Sequence, residues 1–253
     1  MASRIDFNCD LGEGCGDDAA IMPWITSANI ACGAHAGDDA TIRETLRLCR
    51  EHGVTVGAHP GYADRAHFGR REMSLPHREL IALVHEQIAR MAAFAREEGL
   101  QLRHVKPHGA LYNQSARDPD IAAAIAEAVR GHDPSLRLVG MSGTQSIIAA
   151  DAAGLRTAHE VFAERGYGAD GRLLPRGVAG AVLDADAAID QALTFAQRGE
   201  VAHLENGITR GTLRLQADTL CLHGDRDDAA ELARSLHTAL TAAGVRIRSL
   251  ESR

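Results

Sequence analysis

Residues 54–62 read Val54-Thr55-Val56-Gly57-Ala58-His59-Pro60-Gly61-Tyr62. The first five are small, apolar or β-branched, the composition of a strand buried on both faces. Before them runs Asp38–Glu51, where Ile42, Leu46 and Cys49 recur at helical spacing and His52-Gly53 end the helix. After them comes Pro76–Glu98, a helix carrying Leu80, Leu83, Val84, Ile88 and Met91 on one side, with Pro76 near its start and Gly99 at its end. A helix, a buried strand that stops on an imidazole beside glycine, and another helix form one unit. That unit decides the fold because it recurs in both directions along the chain.

Upstream, Arg4–Cys9 reads as a strand and Ile25–Cys32 as a weaker one. Downstream, strands are predicted at Leu102–Lys106, Leu136–Gly140, Leu155–Ala158, Leu220–Leu222 and Val245–Ser249. Helices are predicted at Asp118–Arg130, Thr144–Ala152, Asp184–Arg198 and Asp227–Ala243. Such alternation implies a parallel sheet with right-handed crossovers. No Pro/Ser-rich linker or charge block divides the chain, so a single domain over residues 1–253 is expected.

Polar residues gather where strands end. The turns contain Asn8-Cys9-Asp10-Leu11-Gly12-Glu13-Gly14, then Gly33-Ala34-His35, then His59-Pro60-Gly61. Later ones contain Lys106-Pro107-His108-Gly109, His159-Glu160, and His223-Gly224-Asp225. Parallel α/β folds place their active sites at the carboxyl ends of strands. Six such ends cannot meet across an open sheet, so the strands must close into a complete or distorted barrel. The expected catalytic set is Asp10, Glu13, His35, His59, Lys106, His108, Glu160 and His223. Carboxylates and imidazoles carry protons near neutrality, and a lysine stabilises developing negative charge. Lys106 and His108 share parity along an extended segment and therefore point to one side.

Around this set, Asn8, Arg70, Arg165, Arg176 and Tyr112 are expected to hold the substrate. Arginine in a glycine-rich loop grips a carboxylate or phosphate bidentately. His104 lies deeper on its strand and reads as structural. His52, His77, His85, His132 and His237 fall on helices or their ends and are expected to face solvent. Cys9 and Cys32 read as small buried residues rather than nucleophiles. Gly12-Glu13-Gly14-Cys15-Gly16 lacks the third glycine of a dinucleotide loop, because Asp17 stands there, and its acids would repel a pyrophosphate. No P-loop motif occurs.

Composition agrees with a folded enzyme. The 253 residues suit one α/β barrel, and 45% are hydrophobic although only 4% are aromatic, so Ala, Leu, Val and Ile must build the core. A formal charge of -7 argues against nonspecific nucleic-acid binding. No run approaches the roughly 18 apolar residues of a spanning helix, and no signal-peptide stretch opens the chain, so no membrane association is expected. Five scattered cysteines without a C-x-x-C pair fit a reducing, cytoplasmic location.

Taken together the motifs resemble the LamB/YcsF family over essentially the whole chain. The matching stretches include Asp6–Gly14, Asn29–Gly33, His35–Asp38, Gly57–Tyr62, Phe68–Arg71, Val105–Tyr112, Leu174–Arg176 and His223–Asp225. The chain departs from the family pattern at Ala34, where an aromatic is usual, at Asp39, where proline is usual, and at Glu164, where aspartate is usual. The resemblance implies an α/β fold, an irregular seven-stranded β/α barrel similar to the glycoside hydrolase and deacetylase superfamily. It implies ATP-dependent cleavage of 5-oxo-L-proline (pyroglutamate) to L-glutamate, with ATP, and Mg beside it, as co-substrate, in a complex with two partners, subunits B and C. By analogy with the deacetylase barrels, Asp10, His59 and His108 are expected as ligands of a divalent metal. Two rivals are a stand-alone metal-dependent amidohydrolase or carbohydrate deacetylase, and a non-catalytic scaffold within a larger complex. Activity without ATP or partners marks the first, and indifference to mutation of the polar strand ends marks the second.

Overall fold

The computed structural model describes residues 4–251. In order along the chain, the first half comprises β1 (Arg4–Leu11), α1 (Asp18–Ile21), β2 (Ser27–Ala31), α2 (Asp39–His52), β3 (Thr55–His59), α3 (His77–Glu97), β4 (Leu102–Val105), α4 (Gly109–Ser115) and α5 (Pro119–His132). The second half comprises β5 (Arg137–Met141), α6 (Gln145–Ala152), β6 (Arg156–Phe162), α7 (Ala185–Arg198), β7 (Glu200–Glu205), β8 (Ile208–Arg214), β9 (Thr219–His223), α8 (Ala229–Ala242) and β10 (Arg246–Ile247). Among the described residues, seven parallel strands close in the order β1-β2-β3-β4-β5-β6-β9, and β9 pairs back onto β1. The expected α/β seven-stranded barrel is the fold observed.

Period-2 alternation explains how β1 serves two environments at once. Ile5, Phe7, Cys9 and Leu11 join the apolar core beneath the helices, whereas Asp6, Asn8 and Asp10 reach across the barrel to other strands. Parallel barrels are usually filled by layers of branched aliphatics. This one is filled by a hydrogen-bonded polar column. Asp6 accepts from Ser27 at 2.6 Å and from the Thr219 hydroxyl at 2.5 Å. One level up, Asn8 donates to Glu160 at 3.0 Å and Asn29 donates to both Asn8 and Asp10, at 2.7 and 2.8 Å. His104 pairs with Asn29 Oδ1 at 2.8 Å, as its deeper position required. Its ring occupies the space opened by Gly57, where a Cβ would lie 2.0 Å from His104 Nε2. Each buried polar group that finds a partner avoids a desolvation cost of about 1–3 kcal/mol.

Most helices begin and end where the sequence places them. Asp38 caps α2 by accepting from Thr41 N, and Gly53 closes it in the left-handed conformation. Two differences bear on the site. The expected strand at Val245–Ser249 shrinks to Arg246–Ile247 and pairs only with Arg4 and Ile5, because β9 already occupies the β1 edge from Asp6 onward. The β-α alternation is also broken by the antiparallel pair β7–β8, which the periodicity reading leaves unassigned. The signal was present: Asn206-Gly207, with φ values of 52° and 75°, is the two-residue turn that hairpins favour. The hairpin steadies residues 163–184 through a hydrogen bond from Leu204 N to Tyr167 O at 2.8 Å. His132 and His237 also differ from expectation: both are half-buried, His237 against Trp24.

Candidate functional site

A cavity of about 380 Å³ opens at the carboxyl ends of the barrel strands. Asp10, His59, Lys106, His108 and His223 form its floor and inner wall, while Arg70, Arg165 and Arg176 stand among its outer residues, and Tyr112 and Phe162 supply aromatic wall. Its size falls in the range of small-ligand sites, about 300–1,000 Å³.

Lys106 is the hub. Its ammonium lies 2.8 Å from Asp10 Oδ1, 2.9 Å from Glu160 Oε1 and 3.0 Å from Cys221 Sγ, on a side chain that is only 2% exposed. Burial opposes its charge, but the Asp10 and Glu160 carboxylates push its pKa well above the usual lysine range. Burial likewise opposes a charge on Asp10, yet the His59 imidazole and the Lys106 ammonium hold its carboxyl well below the ordinary value. The floor is therefore an ionised pair. Cys221 is a thiol, since burial drives its pKa far up, and so does burial at Cys9. Neither is a nucleophile.

Imidazoles crowd the adjoining wall. His59 Nδ1 lies 2.7 Å from the Lys106 carbonyl and His108 Nε2 lies 2.8 Å from the Phe68 carbonyl. His59 Nε2 and His108 Nδ1 then face one another at 3.0 Å, and Asp10 Oδ2 is 3.3 Å from the same His59 nitrogen. Phe68 adopts a left-handed φ of 54°, a costly conformation for a bulky residue, and thereby aims its carbonyl at His108. The next residue must be glycine: at Gly69 φ is +63° and a Cβ would lie 2.8 Å from His35. His35 is stacked on His108 with ring centres 3.8 Å apart and planes 3° from parallel. Burial, and then the neighbouring His59, lowers the His108 pKa to about 3. Burial, followed by His108 and His59, also drives His35 down, so both rings are neutral.

Glu13 Oε1 sits 3.3 Å from His108 Nδ1 and 3.5 Å from His35 Nε2. Neither that oxygen nor either nitrogen of His35 has a hydrogen-bond partner, although all are buried. Donor atoms of Glu13, His35, His59 and His108 lie within 4.8 Å of one another, a set suited to a divalent cation. Of the trio expected from sequence, His59 and His108 belong to this group, and Asp10, whose Oδ2 is 3.3 Å from His59 Nε2, also groups with Cys221 and His223.

Several expected site residues lie off the cavity surface or are already engaged by protein partners. Asn8 and Glu160 lie one layer beneath the floor, bonded to each other and outside the cavity lining. Arg165 lines the cavity, but it donates to the carbonyls of Ala181 and Leu174, at 3.0 and 2.6 Å, and holds the covering loop. Arg70 is paired with Asp225. Sequence reasoning missed Glu164, which pairs with His223, as well as Phe68, Phe162 and Arg172. Glu164 was visible as an acid just past a strand end; the aim of the Phe68 carbonyl was not, since nothing in the side chain signals it.

Comparison with known proteins follows the same lines. The family model described as LamB/YcsF family matches residues 5–253. A relative from Erwinia tasmaniensis, named as the A subunit of 5-oxoprolinase, is 47% identical, over 97% of this chain and 99% of its own length. The crystal structure of a lactam utilization protein from Thermus thermophilus superposes with a TM-score of 0.91 at 44% identity, covering 98% of this chain and 100% of that one. The catalytic domain of a peptidoglycan N-acetylglucosamine deacetylase from Eubacterium rectale shares the fold at a TM-score of 0.55 and 9% identity, over 100% and 91% of the two chains.

Proposed function

The chain belongs to the LamB/YcsF family, and from that membership we propose that it is the barrel subunit of an ATP-dependent 5-oxoprolinase, opening 5-oxo-L-proline to L-glutamate as ATP becomes ADP and phosphate. The name of the Erwinia relative and that of the Thermus protein support the substrate class. The observation that carries the chemistry is the buried Asp10–Lys106 pair on the floor of a cavity sized for a small ring.

A lactam is a resonance-stabilised amide, so its hydrolysis needs activation. Transfer of a phosphoryl group from Mg-bound ATP to the lactam oxygen places a leaving group on the ring carbon. Water adds there, the C–N bond breaks and the nitrogen takes a proton. A second water then releases phosphate from the acyl phosphate, leaving glutamate. We assign the phosphoryl transfer to partner subunits B and C, because the sequence carries no P-loop, and the water steps to this chain. The ionised Asp10, whose Oδ2 stands 3.3 Å from His59 Nε2, takes the proton from the attacking water. The Lys106 ammonium stabilises developing charge on the oxygen and serves the departing nitrogen. Arg70 and Arg176 at the cavity mouth hold the substrate carboxylate.

Glutamate formation from 5-oxoproline, assayed with ATP and both partners present, tests this reading. Asp10→Asn is expected to lower the rate by about 100-fold or more, the usual scale for loss of a positioned base. Undiminished turnover overturns the assignment. Amide hydrolysis by the isolated chain without ATP favours instead the stand-alone amidohydrolase.

A further inference from the structure

We infer that Glu13, His59 and His108 hold one divalent transition-metal cation on the wall of the cavity, with His35 as the residue that positions the Glu13 carboxylate. A carbonyl oxygen only accepts, so the Lys106 carbonyl fixes the hydrogen of His59 on Nδ1 and leaves the Nε2 lone pair bare. The Phe68 carbonyl does the same at His108 Nε2 and leaves Nδ1 bare. These two bare nitrogens are 3.0 Å apart. Two lone pairs do not face each other at that distance unless a cation or a proton lies between them.

Glu13 supplies the third donor. Its Oε1 lacks a hydrogen-bond partner and lies 3.3 Å from His108 Nδ1. Ligands at about 2.0–2.1 Å around a tetrahedral ion are about 3.3–3.4 Å from one another, and the observed separations of 3.0 and 3.3 Å lie close to that edge. Backbone carbonyls that fix the second nitrogen of each histidine are the usual outer support of such a site. His35 falls outside the ligand set despite its proximity. Its ring is parallel to that of His108 within 3°, so no ion lies in the plane of both rings. Its Nε2 is instead 3.5 Å from Glu13 Oε1, not hydrogen-bonded to it here but set to steady the carboxylate once the ion is bound.

Two histidines and one carboxylate, with a fourth position left toward the cavity, form a donor set for zinc, manganese or iron rather than for the oxygen-seeking Mg that accompanies a nucleotide. The use of this cation in ring opening rests on the function proposed above; its binding does not.

The test needs no turnover. The full chain is stripped with a chelator and titrated with Zn²⁺ by calorimetry and with Co²⁺ by visible absorption. One equivalent is expected, with the intense ligand-field bands of low-coordinate Co²⁺ that vanish on adding Zn²⁺. Glu13→Gln, which conserves shape, and His108→Ala are expected to abolish the bands, while His35→Ala weakens affinity by roughly 10–100-fold, the effect of losing an outer partner. Circular dichroism and the unfolding temperature of each variant separate loss of the ion from loss of the fold. Absence of stoichiometric binding by the folded wild-type chain overturns the inference and assigns the His59–His108 contact to a shared proton. Loss of the bands in Asp10→Asn with retention in Glu13→Gln overturns the ligand set. A bound ion in a protein that fails the 5-oxoproline assay with its partners overturns the function and leaves this site standing.

Discussion

Lys106 pays for its burial through three neighbours, and the balance among them sets what each residue can do. Removing the ammonium strands Asp10 and Glu160 in the barrel interior, where an uncompensated ion costs about 3–5 kcal/mol. Lys106→Met, similar in volume, is therefore expected to lower unfolding stability in urea by that amount and to abolish turnover with the partners. A variant as stable as wild type contradicts the ionised floor. Glu164 provides a test by pH. Burial opposes its charge, but the His223 imidazole hydrogen-bonded to it prevails and holds its carboxyl below the ordinary range. A depressed acid contributes stability that is present above its unfolded pKa, about 4.3, and is lost as pH falls through the folded value. The stability gap between wild type and Glu164→Gln should thus be full at neutral pH and narrow on acidification, measured as unfolding temperature against pH. A gap independent of pH contradicts the shift.

At the scale of elements, β3 shows how a strand is shaped by what it must admit. Gly57 contributes nothing to strand propensity, yet the His104 ring lies where its Cβ would be. Gly57→Ala should cost about 1–3 kcal/mol, as overpacking does, and His104→Ala in the same chain should recover part of that loss in thermal unfolding. Additive losses contradict the steric account. The strands, most helices and the polar turns were legible because period 2, period 3.6 and cap residues are local signals. The β7–β8 hairpin was legible too, through Asn206-Gly207, but it carries no strong alternation: its residues are largely exposed or half-buried on both faces. The hairpin matters because it backs the loop from which Arg172 and Arg176 reach the cavity.

At the scale of the whole molecule, closure of the barrel is what makes the site. No helix among the described residues is long and apolar enough to cross a membrane. The closed ring brings together residues far apart in the chain: Asp10 meets Lys106, Asn8 meets Glu160, and Asp6 meets Thr219. By itself the sequence determined the α/β alternation, the Gly-rich polar strand ends and the chemical types that converge there, because each depends on neighbours a few residues away. Only the tertiary structure decided that Asn8 and Glu160 lie beneath the floor, that Arg165 is engaged by a loop, and that Glu13 and His35 stand beside His59 and His108. Those outcomes depend on strand register across the barrel and on where backbone carbonyls point, and neither is written in the pattern of side chains along one strand.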